Sequence, residues 1–507
     1  MKRSFLITSS LAAAGLILAG CTAVGGIDVA GDGGDTVDTV APTADAVLSG
    51  DLAPEEVMAA NDDYTTVNED EWSEADAVDV ELTGSSASSD SAAVSVDGST
   101  VTITQAGVYR LSGELEGGVV VEAPDDALVV LILDGVDITN DAGSAIEVRT
   151  ADDVAIHLAD GSTNRVADTG SYAEDADANA AIHADTDLTV SGTGSLAVTG
   201  NGNDGITSTD DLVILSGEIT VTAADDALRG KDALAVEGGT LTLTATGGDG
   251  MKSDGDEGDD SSEIDWTRGY IYVSGGTIDI TAGDDGLQAF TDTVVAGGTI
   301  TADVADDGVK GEAIVSVGEI AGTTAPVITV TASTEAMEAA NIGIYGGTID
   351  LTASDDGINA SGNAELQALI AGEEFTGVTD READSGERLE ISGGTVTIDA
   401  GSDGIDSNGS ITISGGTITI SSAANGGDGP IDGNGTVSVA EGTVTANGSA
   451  WDESMANGMG PGGTGGPGGG DGPGGTGGPG GGEPPSGGMP GGGSGDMQSG
   501  TSGPEVS

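Results

Sequence analysis

The sequence predicts an all-β fold, a right-handed parallel β-helix (solenoid), with a disordered N-terminal tether and a Gly/Pro-rich C-terminal tail. Three observations predict it. Gly-Gly-Thr followed by alternating apolar residues recurs at Gly238, Gly275, Gly297, Gly346, Gly393 and Gly415. The steps Gly275 to Gly297 and Gly393 to Gly415 are both 22 residues, a length that suits one solenoid coil. Apolar spacing at i, i+3 and i+4 is hard to find in this region, whereas short runs of strict alternation are frequent.

In chain order, residues 1–20 read as a lipoprotein signal peptide. Lys2 and Arg3 precede a mostly apolar stretch from Phe5 to Leu18, too short to span a bilayer comfortably. Leu18-Ala19-Gly20-Cys21 then has the form of a lipobox, and Cys21 is the only cysteine. No intrachain disulfide can form. Cys21 is therefore the expected lipid attachment point, anchoring an exported lipoprotein at the outer face of the cell membrane. Residues 21–72 are rich in Asp, Ala, Gly and Thr without sustained period, which predicts a disordered acidic tether. Residues 73–451 carry the repeat. Residues 452–507 run through Pro-Gly-Gly sequences such as Gly465-Gly466-Pro467-Gly468. Their glycines miss the strict every-third spacing of collagen, so a disordered tail is expected.

Composition narrows the function classes. The 507 residues hold 87 Asp+Glu against 12 Lys+Arg, a formal net charge of −75. Such a chain cannot neutralise phosphates, which excludes nucleic acid as a partner. Aromatic residues make up 2%, so a core must be thin and built from small and β-branched side chains. A stacked coil meets that demand, because each inward aliphatic lies on its equivalent about 4.8 Å away. A calcium-binding nonapeptide β-roll fits less well, since Gly-Gly-x-Gly-x-Asp repeats are absent. Two intervals exceed one coil and carry extra segments near Asp254–Arg268 and Ser361–Leu389. Such insertions emerge on the outside of a solenoid, often beside the binding face.

A second motif rides on the repeat: an acid, a glycine, then an aliphatic. It occurs at Asp204, Asp249, Asp285, Asp307, Asp356 and Asp403, with Asp226-Ala227-Leu228 and Glu335-Ala336-Met337 as weaker copies. A further acid precedes at Asp225, Asp284, Asp306 and Asp355. Stacking turns these residues into a vertical ladder. Two carboxylates about 5 Å apart repel by roughly 1 kcal/mol in water and roughly 3 kcal/mol at an effective dielectric of 20. A hard divalent cation offsets that repulsion, and calcium accepts six to eight oxygens with loose geometry. Two His and one Cys leave few ligands for zinc or copper. The expected calcium ligands are Asp204, Asp225, Asp226, Asp249, Asp254, Asp284, Asp285, Asp306, Asp307, Asp355 and Asp356. Asp-Gly also makes ordinary turns, but a turn needs one acid and the ladder often has two.

The position after the aliphatic reads Thr207, Arg229, Lys252, Gln288, Lys310, Glu338, Asn359 and Asp406. If the aliphatic points in, this column points out. Arg229, Lys252 and Lys310, with Lys231 nearby, are four of the twelve basic residues. Two readings stay open. Each cation pairs with a neighbouring Asp, or the cations and calcium make a positive strip that grips sugar carboxylates. On the second reading Arg229, Lys231, Lys252, Gln288 and Lys310 contact carbohydrate, and Trp266, in the first insertion, is the best candidate for sugar stacking.

Several segments resemble a known family. They are Thr102-Ile103-Thr104-Gln105-Ala106-Gly107-Val108-Tyr109-Arg110-Leu111-Ser112-Gly113, Leu131-Ile132-Leu133-Asp134-Gly135-Val136-Asp137-Ile138 and Asn203-Asp204-Gly205-Ile206. Asp225-Asp226-Ala227-Leu228-Arg229-Gly230-Lys231-Asp232 and Gly248-Asp249-Gly250-Met251-Lys252-Ser253-Asp254 continue them. In this order they resemble bacterial carbohydrate-binding parallel β-helix proteins, which look like the family 9 pectate lyases in fold. The resemblance covers about residues 75–330. It implies a right-handed parallel β-helix, bound calcium and binding of acidic sugars such as polygalacturonate. Ala227 stands where the family usually has glycine, which bears on the turn in that coil.

The expected function is calcium-dependent binding of an acidic polysaccharide at the cell surface, by a monomer and without catalysis. A pectate-type polysaccharide lyase is an alternative, with Lys231, Lys252 or Lys310 as base. A base needs a depressed pKa, however, and a lysine among aspartates is pushed the other way. A calcium-rigidified structural protein is a third reading.

Overall fold

The computed structural model describes residues 50–455, apart from 174–175, 177, 256–263, 372–374, 378–382, 424–428 and 453–454. The expected signal peptide, Cys21 and all but a few residues of the expected tail lie outside the described residues. The chain divides into two compact units, 1–461 and 462–507, and every described residue belongs to the first.

The Gly-Gly-Thr repeat sets the geometry of a coil. A side chain on Gly275 would collide with the carbonyl of Glu237 in the preceding coil, and Gly276 has φ +88°. The first glycine therefore permits close stacking, and the second permits a turn that other residues resist. The Thr then opens a strand, as in Thr277–Ala282, where Ile278 and Ile280 are buried and Thr277, Asp279 and Thr281 face out. This is the period-2 pattern read from the sequence.

Strands pair in parallel with strands one coil away. Leu228–Gly230 pairs with Met251–Ser253, Ala233–Val236 with Tyr270–Val273, and Thr240–Ala245 with Thr277–Ala282. Repetition of this step gives three stacks of strands. Among the described residues, 38 strands form one hydrogen-bonded network, a parallel solenoid. Among the described residues, antiparallel pairs are confined to its two ends, such as Val94–Asp97 with Thr100–Ile103 and Val444–Ala446 with Ser449–Ala450. One continuous core of Ile, Val, Leu and Ala runs through the interior. The coil containing Ala227 keeps its register, with Leu228 aligned between Ile206 and Met251.

Residues 50–72 depart from the expected tether. They lie along one of the three stacks as a strap, beginning with helix α1 (Pro54–Ala60). Leu52, Val57 and Val67 are buried. The strap runs from late coils to early ones. Arg388 donates to the Gly50 carbonyl (2.9 Å), Ser316 to that of Leu52 (2.6 Å), and Asn61 to Asp292 Oδ2 (3.1 Å). Farther along, Thr65 N–H donates to Asp211 Oδ2 (2.8 Å) and Val67 N–H to Thr189 Oγ1 (3.0 Å). Glu74 then meets Arg110 at 3.0 Å. The physical reason lies in the covered strands. Val130, Ile132 and Ala155 pack under Val67 and Trp72, while Val294, Ile314 and Ala340 pack under Leu52 and Val57. These outward positions are apolar, so the strands are buried on both faces.

Candidate functional site

The ladder stands at the turn that enters a second stack of strands, whose outward column matches the one read from the sequence. Thr207 aligns with Arg229, Arg229 with Lys252, Lys252 with Gln288, and Gln288 with Lys310. Glu338, Asn359 and Asp406 continue the column. The acid before each glycine is drawn in beneath it. Asp204, Asp226, Asp249, Asp285 and Asp307 are all buried, between 0% and 4% exposed. The preceding acids Asp284, Asp306 and Asp355 are exposed, and Asp225 is half-buried.

The buried carboxylates of Asp204, Asp226, Asp249 and Asp285 have a structural task that the sequence did not reveal. Each Oδ1 accepts the backbone N–H of the matching residue one coil on. Asp226 N–H donates to Asp204 (3.3 Å), Asp249 to Asp226 (2.9 Å), Asp285 to Asp249 (2.9 Å) and Asp307 to Asp285 (2.7 Å). Asp403 N–H donates to Asp356 in the same way (2.8 Å), and Gly429 N–H to Asp403. Turn amides that no strand can satisfy thus find acceptors.

The second oxygen meets the outward column. Lys252 Nζ lies 3.0 Å from Asp249 Oδ2. Lys310 Nζ lies 2.8 Å from Asp307 Oδ2 and 3.1 Å from Glu338 Oε2. Arg229 lies 3.6 Å from Asp204 Oδ2 and forms a two-pronged pair with Asp254. Charge compensation is therefore built in. Lys231 is also engaged, and Gln288 sits half-buried in register between the two lysines. Burial works to lower the pKa of Lys252 and Lys310. The surrounding carboxylates, Asp226 and Asp249 for the first and Asp307 and Glu338 for the second, outweigh it and hold both well above the ordinary lysine value.

The acids are raised as well, by a different leading cause. Burial pushes Asp204 up to about 6, Asp226 and Asp285 to about 7, and Asp307 and Glu335 to about 8. In each case neighbouring carboxylates add to the rise.

Carboxylate oxygens converge within 4.8 Å of one another in three successive groups: Asp249, Asp284 and Asp285; Asp285, Asp306 and Asp307; and Asp307, Glu335 and Glu338. Asp403, Asp406 and Asp432 form another group farther along. The donors are all hard oxygens, which fit calcium rather than zinc or copper. Among the expected ligands, Asp249, Asp284, Asp285, Asp306 and Asp307 are brought together. Asp204, Asp225, Asp226, Asp355 and Asp356 are not in such a group among the described residues, and Asp254 serves Arg229 instead. Glu338 had been read only as part of the outward column. A separate group, Asp187, Asp210 and Asp211, was missed altogether. Its signal was an acid before the strands at Asp153-Val154, Asp187-Leu188 and Asp211-Leu212, which align coil on coil.

Trp266 stands apart from the ladder. Its ring stacks on Phe290, centroids 5.7 Å apart and 15° between planes, and it packs against the apolar cluster under the strap. One ring face is thus taken by the protein itself.

A family model described as Carbohydrate-binding domain-containing protein matches residues 97–371, a span that holds the three successive acid groups and the outward column from Thr207 to Asn359. The chain belongs to this carbohydrate-binding domain family. A carbohydrate-binding domain-containing protein of Acetivibrio thermocellus is 32% identical over 231 residues, covering 45% of this chain and 78% of the relative. A solved structure of the polysaccharide lyase-like protein from C. thermocellum, a gadolinium derivative, is 30% identical. It aligns with 50% of this chain and 96% of its own, with a TM-score of 0.42. In this carbohydrate-binding domain, the acid groups and the basic column share one edge of the solenoid.

Proposed function

We propose that the domain binds acidic polysaccharide of the polygalacturonate type through calcium held in the ladder, without breaking a bond. The carrying observation is the run of three carboxylate groups, each sharing a residue with the next, at one edge of the coils. Asp249, Asp284, Asp285, Asp306, Asp307, Glu335 and Glu338 would hold the ions. Bound calcium would supply local positive charge on which a uronate carboxylate can sit. The protein's own residues do the rest. The buried acids keep the coils in register through their Oδ1 bonds, and the exposed Asp284 and Asp306 bring the cation toward the surface. Lys252 and Lys310 limit repulsion between neighbouring coils.

A net charge of −75 repels a polyanion, but screening confines that repulsion to about 8 Å at physiological salt. Local inversion of sign is therefore enough. Successive coils would offer several cations to one glycan chain, so affinity gains from linkage. The lyase reading loses Lys252 and Lys310 as bases, because the neighbouring carboxylates hold both protonated. We further take the coils to be right-handed, as parallel crossovers generally are. The domain is taken to act as a monomer, anchored through lipid on Cys21 at the outer face of the membrane.

Affinity electrophoresis through gels containing polygalacturonate tests the binding reading. Retardation with calcium, lost on adding chelator and in the Asp285→Asn/Asp307→Asn double variant, is expected. Retardation indifferent to chelator would overturn it.

A further inference from the structure

The acid groups of the ladder already hold cations, and the chain itself supplies them. Lys252 Nζ lies 3.0 Å from Asp249 Oδ2, in the group with Asp284 and Asp285. Lys310 Nζ lies 2.8 Å from Asp307 Oδ2, and Asp307 belongs to both of the next two groups. The same ammonium stands 3.1 Å from Glu338 Oε2, so it bridges two acids of the third group.

Calcium and these ammoniums compete for the same oxygens. Calcium sits about 2.4 Å from a carboxylate oxygen, which would put an ammonium on that oxygen within about 5 Å of a doubly charged ion. Such like charges repel, the more so at a partly buried edge. The carboxylates of Asp249 and Asp285 are fixed, because their Oδ1 atoms hold the Asp285 and Asp307 amides of the next coil. The lysines are not. Both stand in the outward column, with side chains 24% and 21% exposed, and a four-carbon stem turns about several bonds. Each ammonium can swing toward solvent while the backbone keeps its register. Arg229 differs. Its two-pronged partner Asp254 belongs to no acid group among the described residues, so calcium in the ladder leaves that pair intact.

On the reading that the ladder holds calcium, we propose that the ion displaces Lys252 and Lys310, and that the freed ammoniums take uronate carboxylates beside it. Gln288 lies in register between the two lysines, which sets them two coils apart, about 10 Å. Without calcium both lysines are occupied as counter-ions, and this edge offers a polyanion no free cation from either. With calcium, ions and ammoniums form one positive strip. The same two side chains thus balance charge in one state and select uronate in the other.

The chain has four lysines, Lys2, Lys231, Lys252 and Lys310. Carbon-13 at lysine Cε therefore gives few NMR signals, which Lys252→Arg and Lys310→Arg assign. In chelator the Lys252 and Lys310 signals should be broad, as for held side chains. Calcium should shift and sharpen them, and galacturonate trimer added next should shift them again. Calorimetry on the same sample shows independently whether calcium binds. Bound calcium with both lysine signals unmoved would overturn the proposal and leave the ladder reading standing, whereas no calcium binding would overturn both. Affinities give a second readout. Lys310→Met should bind calcium about tenfold more tightly and, in saturating calcium, galacturonate trimer about tenfold more weakly. Trimer affinity equal to wild type would overturn the proposal, since Lys310 would then only balance charge.

Discussion

Mild acidification should stabilise the calcium-free protein, contrary to the usual behaviour of an acidic chain whose carboxylates are salt-bridged. Burial first, and neighbouring charge second, raise Asp226 and Asp285 to about 7. Asp307 is raised to about 8. In the unfolded chain each returns to about 3.9. Between about pH 4 and 8 the folded state therefore binds more protons than the unfolded state, and stability falls as pH rises through that window. Going from pH 8 to pH 5 returns roughly 2–3 kcal/mol for each of Asp226 and Asp285 at face value. Calcium in the ladder would hold Asp285 and Asp307 ionised, so it should remove their share of this dependence and leave that of Asp226. The assay is thermal melting by circular dichroism at pH 8, 7, 6 and 5, with chelator and with calcium. Relief of overall charge also favours the acid side, so the Asp226→Asn/Asp285→Asn variant is the control. Asn keeps the Oδ1 acceptors used by Asp249 and Asp307 N–H but cannot ionise. Its melts in chelator should be higher than wild type at pH 8 and distinctly flatter with pH. A wild-type midpoint that falls from pH 8 to pH 5, or an identical slope in the variant, would refute the reasoning.

Three further outcomes follow from the same structure. Lys310→Met leaves the Asp307 and Glu338 carboxylates unpaired, which costs on the order of 3–5 kcal/mol while they are ionised; denaturant melts in chelator should show a large loss at pH 8 that shrinks by pH 5. Leu52→Ala removes a strap residue 1% exposed and should cost roughly 2–5 kcal/mol, with increased binding of a hydrophobic dye as the covered strands open, whereas an unchanged melt would show that the strap does not hold the coils. Cys21→Ser should move the protein from the membrane fraction to the soluble fraction, and a variant still sedimenting with membranes would contradict the anchor.

The repeat was legible because it is dictated by the backbone. Gly-Gly-Thr marks a place where coils approach too closely for a side chain, and alternation of Ile with Thr fixes which face is inward. The outward column could be written down residue by residue because stacking in register follows from the repeat alone. The acid ladder was legible in position and only partly in role. Sequence cannot show that Asp285 Oδ1 holds the Asp307 amide, or that Asp254 belongs to Arg229, since both depend on side-chain rotamers. The strap was read as tether because residues 50–72 lack period and are acidic. The warning lay in the strands it covers. Val129-Val130-Leu131-Ile132-Leu133 is apolar at successive positions, which a strand with a solvent face would not tolerate.

The central claim is that ladder carboxylates hold calcium on which a uronate sits. Diffraction from crystals grown with calcium and a galacturonate trimer, collected for anomalous signal, tests it most directly. The account predicts anomalous peaks among Asp249, Asp284 and Asp285 and among Asp285, Asp306 and Asp307, with a sugar carboxylate on at least one. Sugar bound elsewhere, or a ladder free of anomalous density at millimolar calcium, would contradict it.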